Sequence, residues 1–209
     1  MRSRRSVPPL VMLMRAIVAG DRARAQALLH ERGDLATSVS SVGATRAAAP
    51  DFFLEEIRHY IYAGDTALHV AAAAHDIAMV RTLLRLGAKT SAKNRRGAEP
   101  LHYAVDGGPG IGAFRPSAQV AVVKYLLEHG ADPDARDKGG VTPLHRAVRN
   151  RCAGAVRALL DAGADVALRT TSGSTALDLT RWTTGRSGSG SAEARAAQAM
   201  IVELLQTSR

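Results

Sequence analysis

The fold is decided by the stretch Gly140-Val-Thr-Pro-Leu-His-Arg-Ala147 and by Val156-Arg-Ala-Leu-Leu-Asp-Ala-Gly-Ala-Asp165, which follows it. Thr142 is suited to cap a helix N-terminus, and Pro143 is suited to the first helical position, so a short helix is expected to begin here. The second stretch spaces its apolar residues along one helical face and ends at Gly163, where a left-handed C-cap favours glycine. Together the stretches predict a pair of amphipathic helices joined by a turn.

The same unit recurs three more times, so the chain contains an internal repeat. The corresponding segments begin at Gly64-Asp-Thr-Ala-Leu-His-Val-Ala71, Gly97-Ala-Glu-Pro-Leu-His-Tyr-Ala104 and Gly173-Ser-Thr-Ala-Leu-Asp-Leu-Thr180. Their leading leucines fall at positions 68, 101, 144 and 177, in steps of 33, 43 and 33, and the longer step reflects one inserted loop. Because a single unit cannot bury its own leucines, the units are expected to stack into a continuous core.

These segments resemble the ankyrin repeat, whose signature is T-P-L-H-x-A and whose period is about 33 residues. The resemblance implies an all-α ankyrin-repeat α-solenoid of about five repeats, with atypical first and last repeats and β-hairpin-like turns between repeats. We assign residues 1–9 to a basic N-terminal tail and residues 10–209 to a single domain. The repeats are placed at 10–33, 64–96, 97–139, 140–172 and 173–209, and residues 34–63, called the insertion below, follow the first.

The insertion is expected to contain a helix over residues 51–62. Asp51 is suited to the N-cap, and Phe53, Ile57, Tyr60 and Ile61 follow at helical spacing. Such a helix would either seal the exposed first repeat or present an aromatic ridge to a partner. Sealing is the interpretation we favour.

Four further features depart from the repeat pattern. His75 and Arg151 occupy the turn between helices where glycine is expected, which predicts either an uncommon backbone conformation at both positions or a remodelled turn. Glycine-rich segments at 107–116 and 183–191 interrupt the third and fifth repeats. Neither segment matches the Walker or dinucleotide-binding glycine pattern, so we interpret them as inter-helix loops and not as phosphate cradles.

Composition limits the environment and the kinds of partner. The formal net charge of +9 favours acidic partners. Cys152 is the single cysteine, which fits a reducing compartment, and no stretch approaches the roughly 20 apolar residues of a membrane span. An apolar run near the N-terminus is broken by Pro8 and Pro9, unlike a signal peptide. We therefore expect a cytoplasmic monomer without membrane association, and the chain resembles small bacterial ankyrin-repeat proteins.

We predict no catalytic residue, no metal site and no cofactor. His69, His102 and His145 recur once per repeat, but stacked helices lie about 10 Å apart, too far for these side chains to share one zinc ion. The resemblance implies that this histidine braces the neighbouring loop. Cys152 falls near a helix start, where a thiol pKa can be lowered, but without a histidine partner we interpret it as a packing residue.

The ankyrin proteins that this chain resembles bind partners through hairpin tips and exposed first-helix positions, which line a concave face. Mapping those positions onto this sequence gives Tyr62, Arg95, Arg96, Asp106, Lys138, Arg149, Asn150 and Trp182. The set is basic and contains the only tryptophan, and arginine and tryptophan are enriched in binding hot spots. We therefore predict a non-enzymatic scaffold that binds another protein, of acidic character, on this face.

An alternative is that the same basic surface binds nucleic acid, without sequence specificity, or another anionic ligand. The distribution of arginine argues for the protein partner. Arginines also occupy outer-helix positions such as Arg81, Arg85 and Arg157, and do not form a single basic stripe.

Overall fold

A computed structural model of the chain describes residues 7–45, 49–109, 114–181 and 191–208. Within these ranges the chain forms ten α-helices and one pair of antiparallel strands, β1 (Phe53–Leu54) and β2 (His59–Tyr60). The helices are α1 (Pro9–Val18), α2 (Arg22–Glu31), α3 (Ala67–Ala73), α4 (Ile77–Arg85), α5 (Pro100–Ala104), α6 (Pro116–Glu128), α7 (Pro143–Arg149), α8 (Ala153–Asp161), α9 (Ala176–Leu179) and α10 (Ala192–Thr207). Short 3₁₀ turns cover Gly33–Ala36, Pro50–Phe52 and Glu55–Ile57.

The first helix of each repeat begins where the sequence predicts. The hydroxyls of Thr66, Thr142 and Thr175 each accept a hydrogen bond from the backbone N–H three residues on, which caps α3, α7 and α9. Glu99 occupies the N-cap of α5, and its N–H donates to His102 Nδ1 at 3.1 Å. The capping predicted from the signature threonines is confirmed, and the third repeat has an acidic residue at this position.

The predicted turn conformations are also confirmed. The second helices α4, α6 and α8 are followed by Gly87, Gly130 and Gly163, all with φ between 82° and 88°. His75 and Arg151, in the turns between first and second helices, have φ values of 54° and 57°. This left-handed backbone is uncommon for residues with a Cβ atom.

Five helix pairs stack in chain order. Among the first helices, α1 contacts α3, α3 contacts α5, and α7 contacts both α5 and α9; among the second helices, α6 contacts α4 and α8, and α8 contacts α10. One cluster of buried side chains runs from Leu10 in α1 to Leu205 in α10. The all-α ankyrin-type solenoid expected from the sequence is therefore the observed fold. No helix in the described parts of the chain is long and apolar enough to cross a membrane.

Hairpin-like turns join successive repeats, as predicted. In the turns over residues 94–98, 137–141 and 170–174, the first residue donates its N–H to the carbonyl of the last, at 3.0–3.1 Å. The tips are also joined to one another. The N–H groups of Arg95, Lys138 and Thr171 donate to carbonyls of the preceding connection, at 2.8–2.9 Å. The tips therefore form one continuous row along the solenoid.

The helix predicted over residues 51–62 is wrong, because this part of the insertion forms a small hairpin. Phe53 pairs with Tyr60 across β1 and β2, and Arg58 reverses the chain with a φ of 50°. Leu54 and Ile61 are buried in the main core, so the segment does seal the first repeats. The apolar spacing misled the prediction because residues that share a helical face can also meet across a hairpin.

The first half of the insertion lies beside the residues at the end of the insertion and is hydrogen-bonded to them. The Ser40 N–H donates to the Asp65 carbonyl at 2.8 Å, and the Ala44 N–H donates to the Ile61 carbonyl at 2.8 Å. Gly43 lies so close to this returning segment that a Cβ atom would stand 2.4 Å from the Ala63 nitrogen. A glycine at this position therefore permits the close approach of the two backbones.

Candidate partner-binding surface

The hairpin tips are held by the histidine of each repeat. His69, His102 and His145 each accept the N–H of their helix-capping residue on Nδ1, at 3.1–3.3 Å. Their Nε2 atoms therefore carry the proton and donate to the carbonyls of Ala98, Val141 and Ser174 in the next hairpin, at 3.0–3.2 Å. Burial lowers the pKa of all three, that of His102 to about 4, so the neutral rings brace the tips, as predicted.

A buried carboxylate fixes the first tip. Asp65 has no exposed surface, and its oxygens accept the Asn94 side-chain amide at 2.8 Å, the Tyr103 hydroxyl at 2.9 Å and the Tyr62 N–H at 2.7 Å. Burial raises the pKa of Tyr103 well above its ordinary value, so its hydroxyl remains a donor. The network links the end of the insertion to the hairpin of the next repeat.

Four of the residues predicted to bind a partner lie along the row of tips. The guanidinium carbons of Arg95 and Arg96 each stand 5.2 Å from the centre of the Tyr62 ring. Arg96 also donates through Nη1 to the Tyr62 hydroxyl at 3.2 Å. The Lys138 N–H donates to the Arg96 carbonyl at 2.9 Å, which places Lys138 on the adjoining tip. Arg95, Arg96 and Lys138 are exposed.

Two other predicted residues, Asp106 and Asn150, belong to one network of hydrogen bonds and ion pairs. An Asp106 carboxylate oxygen lies 3.3 Å from Arg146 Nη1, and Asn150 donates to the Val105 carbonyl at 3.0 Å and to Asp106 at 3.4 Å. Arg146 also reaches Asp137 at 3.7 Å. Asp106 and Asp137 side chains are only 21% and 12% exposed, so these charges are largely engaged within the protein.

The insertion also reaches this network, through a residue that the sequence reasoning missed. The His59 ring packs on Tyr103 with ring centres 4.3 Å apart, and its Nδ1 lies 3.5 Å from an Asp106 carboxylate oxygen. Burial lowers the pKa of His59, which favours the neutral ring. Next to it, Phe53 and Tyr60 form a ring pair 4.7 Å apart. The aromatic content of the insertion was the one sequence signal for this contact.

We call the hairpin tips and the exposed first-helix ends beside them the tip face. Its exposed cations are Arg95, Arg96, Lys138 and Arg149, the last at the end of α7. Two carboxylates of the tip face, Asp106 and Asp137, are engaged by Arg146, by Asn150 or by backbone N–H groups. The tip face therefore carries an excess of positive charge.

The remaining predicted residue, Trp182, lies outside the described residues. So do residues 110–113, which are four of the ten residues of the first glycine-rich segment, and residues 183–190, which are nearly all of the second.

Cys152 occupies the N-cap of α8 but is buried, and its thiol donates to the Gly107 carbonyl at 3.1 Å. Burial raises the pKa of this thiol to about 12. Since the thiolate is the reactive form, the side chain is inert at neutral pH, in line with its interpretation as a packing residue.

Comparisons with known families match the repeats directly. The model described as "Ankyrin repeat" matches residues 63–95 and 96–138, and the model described as "Ankyrin repeats (many copies)" matches residues 126–179. The matched residues together span more than half of the chain. A search of curated proteins returned no match.

Proposed function

Since the chain belongs to the ankyrin-repeat family, whose members generally mediate protein–protein interactions, we propose that it is a non-enzymatic scaffold that binds an acidic protein segment on the tip face. The anchoring residues of this proposal are Tyr62, Arg95, Arg96, Lys138 and Arg149. Asp106 and Asn150 belong to the same predicted set, and they are hydrogen-bonded to each other. The protein would act as a monomer in a reducing cytoplasm, a compartment that fits its single cysteine being a free thiol.

One observation carries the proposal: the cations of the tip face are exposed, whereas the nearby carboxylates are engaged. Arg146 holds both Asp106 and Asp137, so part of their negative charge is already offset within the protein. An excess of one charge on a rigid surface attracts a partner of the opposite charge and orients it. Arginine beside tyrosine is also a frequent composition of binding hot spots.

The test compares two charge reversals of equal size. Arg95→Glu/Arg149→Glu changes the tip face, and Arg81→Glu/Arg157→Glu changes the exposed side of the outer helices α4 and α8. Immobilised wild type and both variants are used to capture interactors, which are quantified by mass spectrometry. We expect the tip-face variant to lose specific interactors at least tenfold, and the outer-helix variant to retain them.

Equal recovery by both variants would remove the tip face as the binding surface. The nucleic-acid alternative is tested separately, by titrating random duplex DNA at several salt concentrations. A specific affinity for acidic protein segments predicts weak DNA binding. Tight DNA binding with a steep salt dependence would instead favour the alternative.

A further inference from the structure

The side chains of Arg95 and Arg96 are both held in place by the insertion. Arg95 Nη2 donates to the Ala44 carbonyl at 2.6 Å, and Arg96 Nη1 donates to the Tyr62 hydroxyl at 3.2 Å. Both guanidinium carbons lie over the Tyr62 ring at 5.2 Å. We call Ala44, Tyr62, Arg95 and Arg96 the arginine cradle.

The cradle is anchored by backbone contacts at both ends. Ala44 is fixed by its hydrogen bond to Ile61 and by the close approach of Gly43 to residues 62 and 63. The Arg95 N–H donates to the Ala63 carbonyl at 2.8 Å. Because the two guanidinium groups are already positioned, a ligand that binds them loses less side-chain entropy than it would on free arginines.

The cradle concentrates positive charge without an internal counter-ion. Within the described residues, which contain every Asp and Glu of the chain, neither Arg95 nor Arg96 forms an ion pair. The nearby Asp65 is fully buried and accepts hydrogen bonds from Asn94 and Tyr103. Both arginines are exposed, and Lys138 adds a third cation on the next tip.

We propose that the arginine cradle binds a phosphorylated side chain of the partner protein, an inference that rests on the proposed function and names the group recognised there. A phosphate monoester carries up to two charges and three acceptor oxygens, which suits two arginine forks better than a single carboxylate does. A nucleic-acid phosphodiester carries one charge, and base stacking requires an open aromatic face. At Tyr62 both guanidiniums already cover the ring.

The test uses the full chain and a short acidic peptide labelled with fluorescein. The peptide is made with phosphoserine, aspartate or serine at one central position, and binding is followed by fluorescence anisotropy. We expect the phosphoserine peptide to bind at least about tenfold more tightly than the aspartate peptide. Arg95→Lys/Arg96→Lys, which keeps the charge and removes the forks, should abolish most of that preference. Arg81→Lys/Arg157→Lys is the matched control and should preserve it.

The outcomes separate this proposal from the proposed function. Equal affinity for phosphoserine and aspartate peptides, or a preference that survives in Arg95→Lys/Arg96→Lys, would overturn phosphate recognition and leave the acidic-partner function standing. If the wild-type protein bound none of the three peptides but did bind single-stranded DNA, both phosphate recognition and the acidic-partner function would be overturned. Competition by inorganic phosphate at the affinity of the peptide would assign the cradle to a free anion and overturn recognition of a phosphorylated partner.

Discussion

Replacing Glu99 by threonine is expected to stabilise the protein by about 1–2 kcal/mol. Glu99 occupies the N-cap position of α5, where α3 and α7 have Thr66 and Thr142. Its side chain is only 5% exposed, and its Oε2 has no hydrogen-bond partner among the described residues. The third repeat therefore buries a carboxylate at a position where a hydroxyl suffices.

Two opposing contributions give the expected magnitude. A buried polar atom without a partner costs about 1–3 kcal/mol. The ion pair between Glu99 Oε1 and Lys93 Nζ, at 3.6 Å, offsets about 0–1 kcal/mol, because the Lys93 side chain is 56% exposed. Threonine would provide a cap, as Thr66 and Thr142 do in the neighbouring repeats. For a chain of this size the net gain corresponds to a rise in Tm of about 2–8 °C.

The gain is also expected to depend on pH, because burial raises the pKa of Glu99. The folded protein takes up this proton at a higher pH than the unfolded chain does, so the ionised carboxylate lowers the free energy of unfolding at neutral pH. As the pH falls through the raised pKa, the carboxyl becomes neutral and the cost disappears. Glu99→Thr should therefore stabilise the protein at pH 7 and have little effect near pH 4.

The assay is urea unfolding at both pH values, with coincident circular-dichroism and fluorescence transitions establishing two-state behaviour. Glu128→Thr, at the exposed end of α6, removes the same charge and should change stability by less than about 0.5 kcal/mol. A Glu99→Thr midpoint at or below that of the wild type at pH 7 would refute the reasoning. So would a gain of equal size at pH 4.

Three further perturbations address the other contacts. Arg146→Ala should lower the free energy of unfolding by about 3 kcal/mol, because two poorly exposed carboxylates lose their partner. The control Arg157→Ala, at an exposed position, should change it little, and equal urea midpoints for the two variants would contradict this. Because burial lowers the pKa of His102 to about 4, acidification from pH 7 to pH 5 should lower the free energy of unfolding by about 1–2 kcal/mol, since the unfolded chain takes up this proton near pH 6.5. The measurement uses Glu99→Thr, which removes the opposing effect of Glu99, and a constant urea midpoint of that variant over this range would exclude the prediction. Gly43→Ala should destabilise the fold by about 1–3 kcal/mol in thermal unfolding, because the added Cβ atom would clash with the backbone. Gly33→Ala, which has open space around it, should leave the stability unchanged, and an unchanged Tm for Gly43→Ala would disprove the close approach.

The repeat architecture could be predicted from the sequence because its determinants are local. A capping threonine such as Thr142, an apolar stripe and a glycine such as Gly163 each act within one helix or one turn, and their recurrence leaves stacking as the way to bury the leucines. The left-handed turns at His75 and Arg151 were predictable for the same reason, since the helix–turn–helix unit imposes its backbone whatever residue stands there.

Only the tertiary structure decided what the insertion does and which charges remain exposed. The apolar residues of the insertion fit a helix and a hairpin equally well, and burial of Leu54 and Ile61 against the first repeats selects the hairpin. The pairing of Asp106 with Arg146 joins residues 40 positions apart, and so does not follow from local spacing. Side-chain partners across repeats depend on how the repeats stack. The cations of the tip face could therefore be counted in the sequence, but the absence of an ion pair at Arg95 and Arg96 among the described residues emerged from the fold.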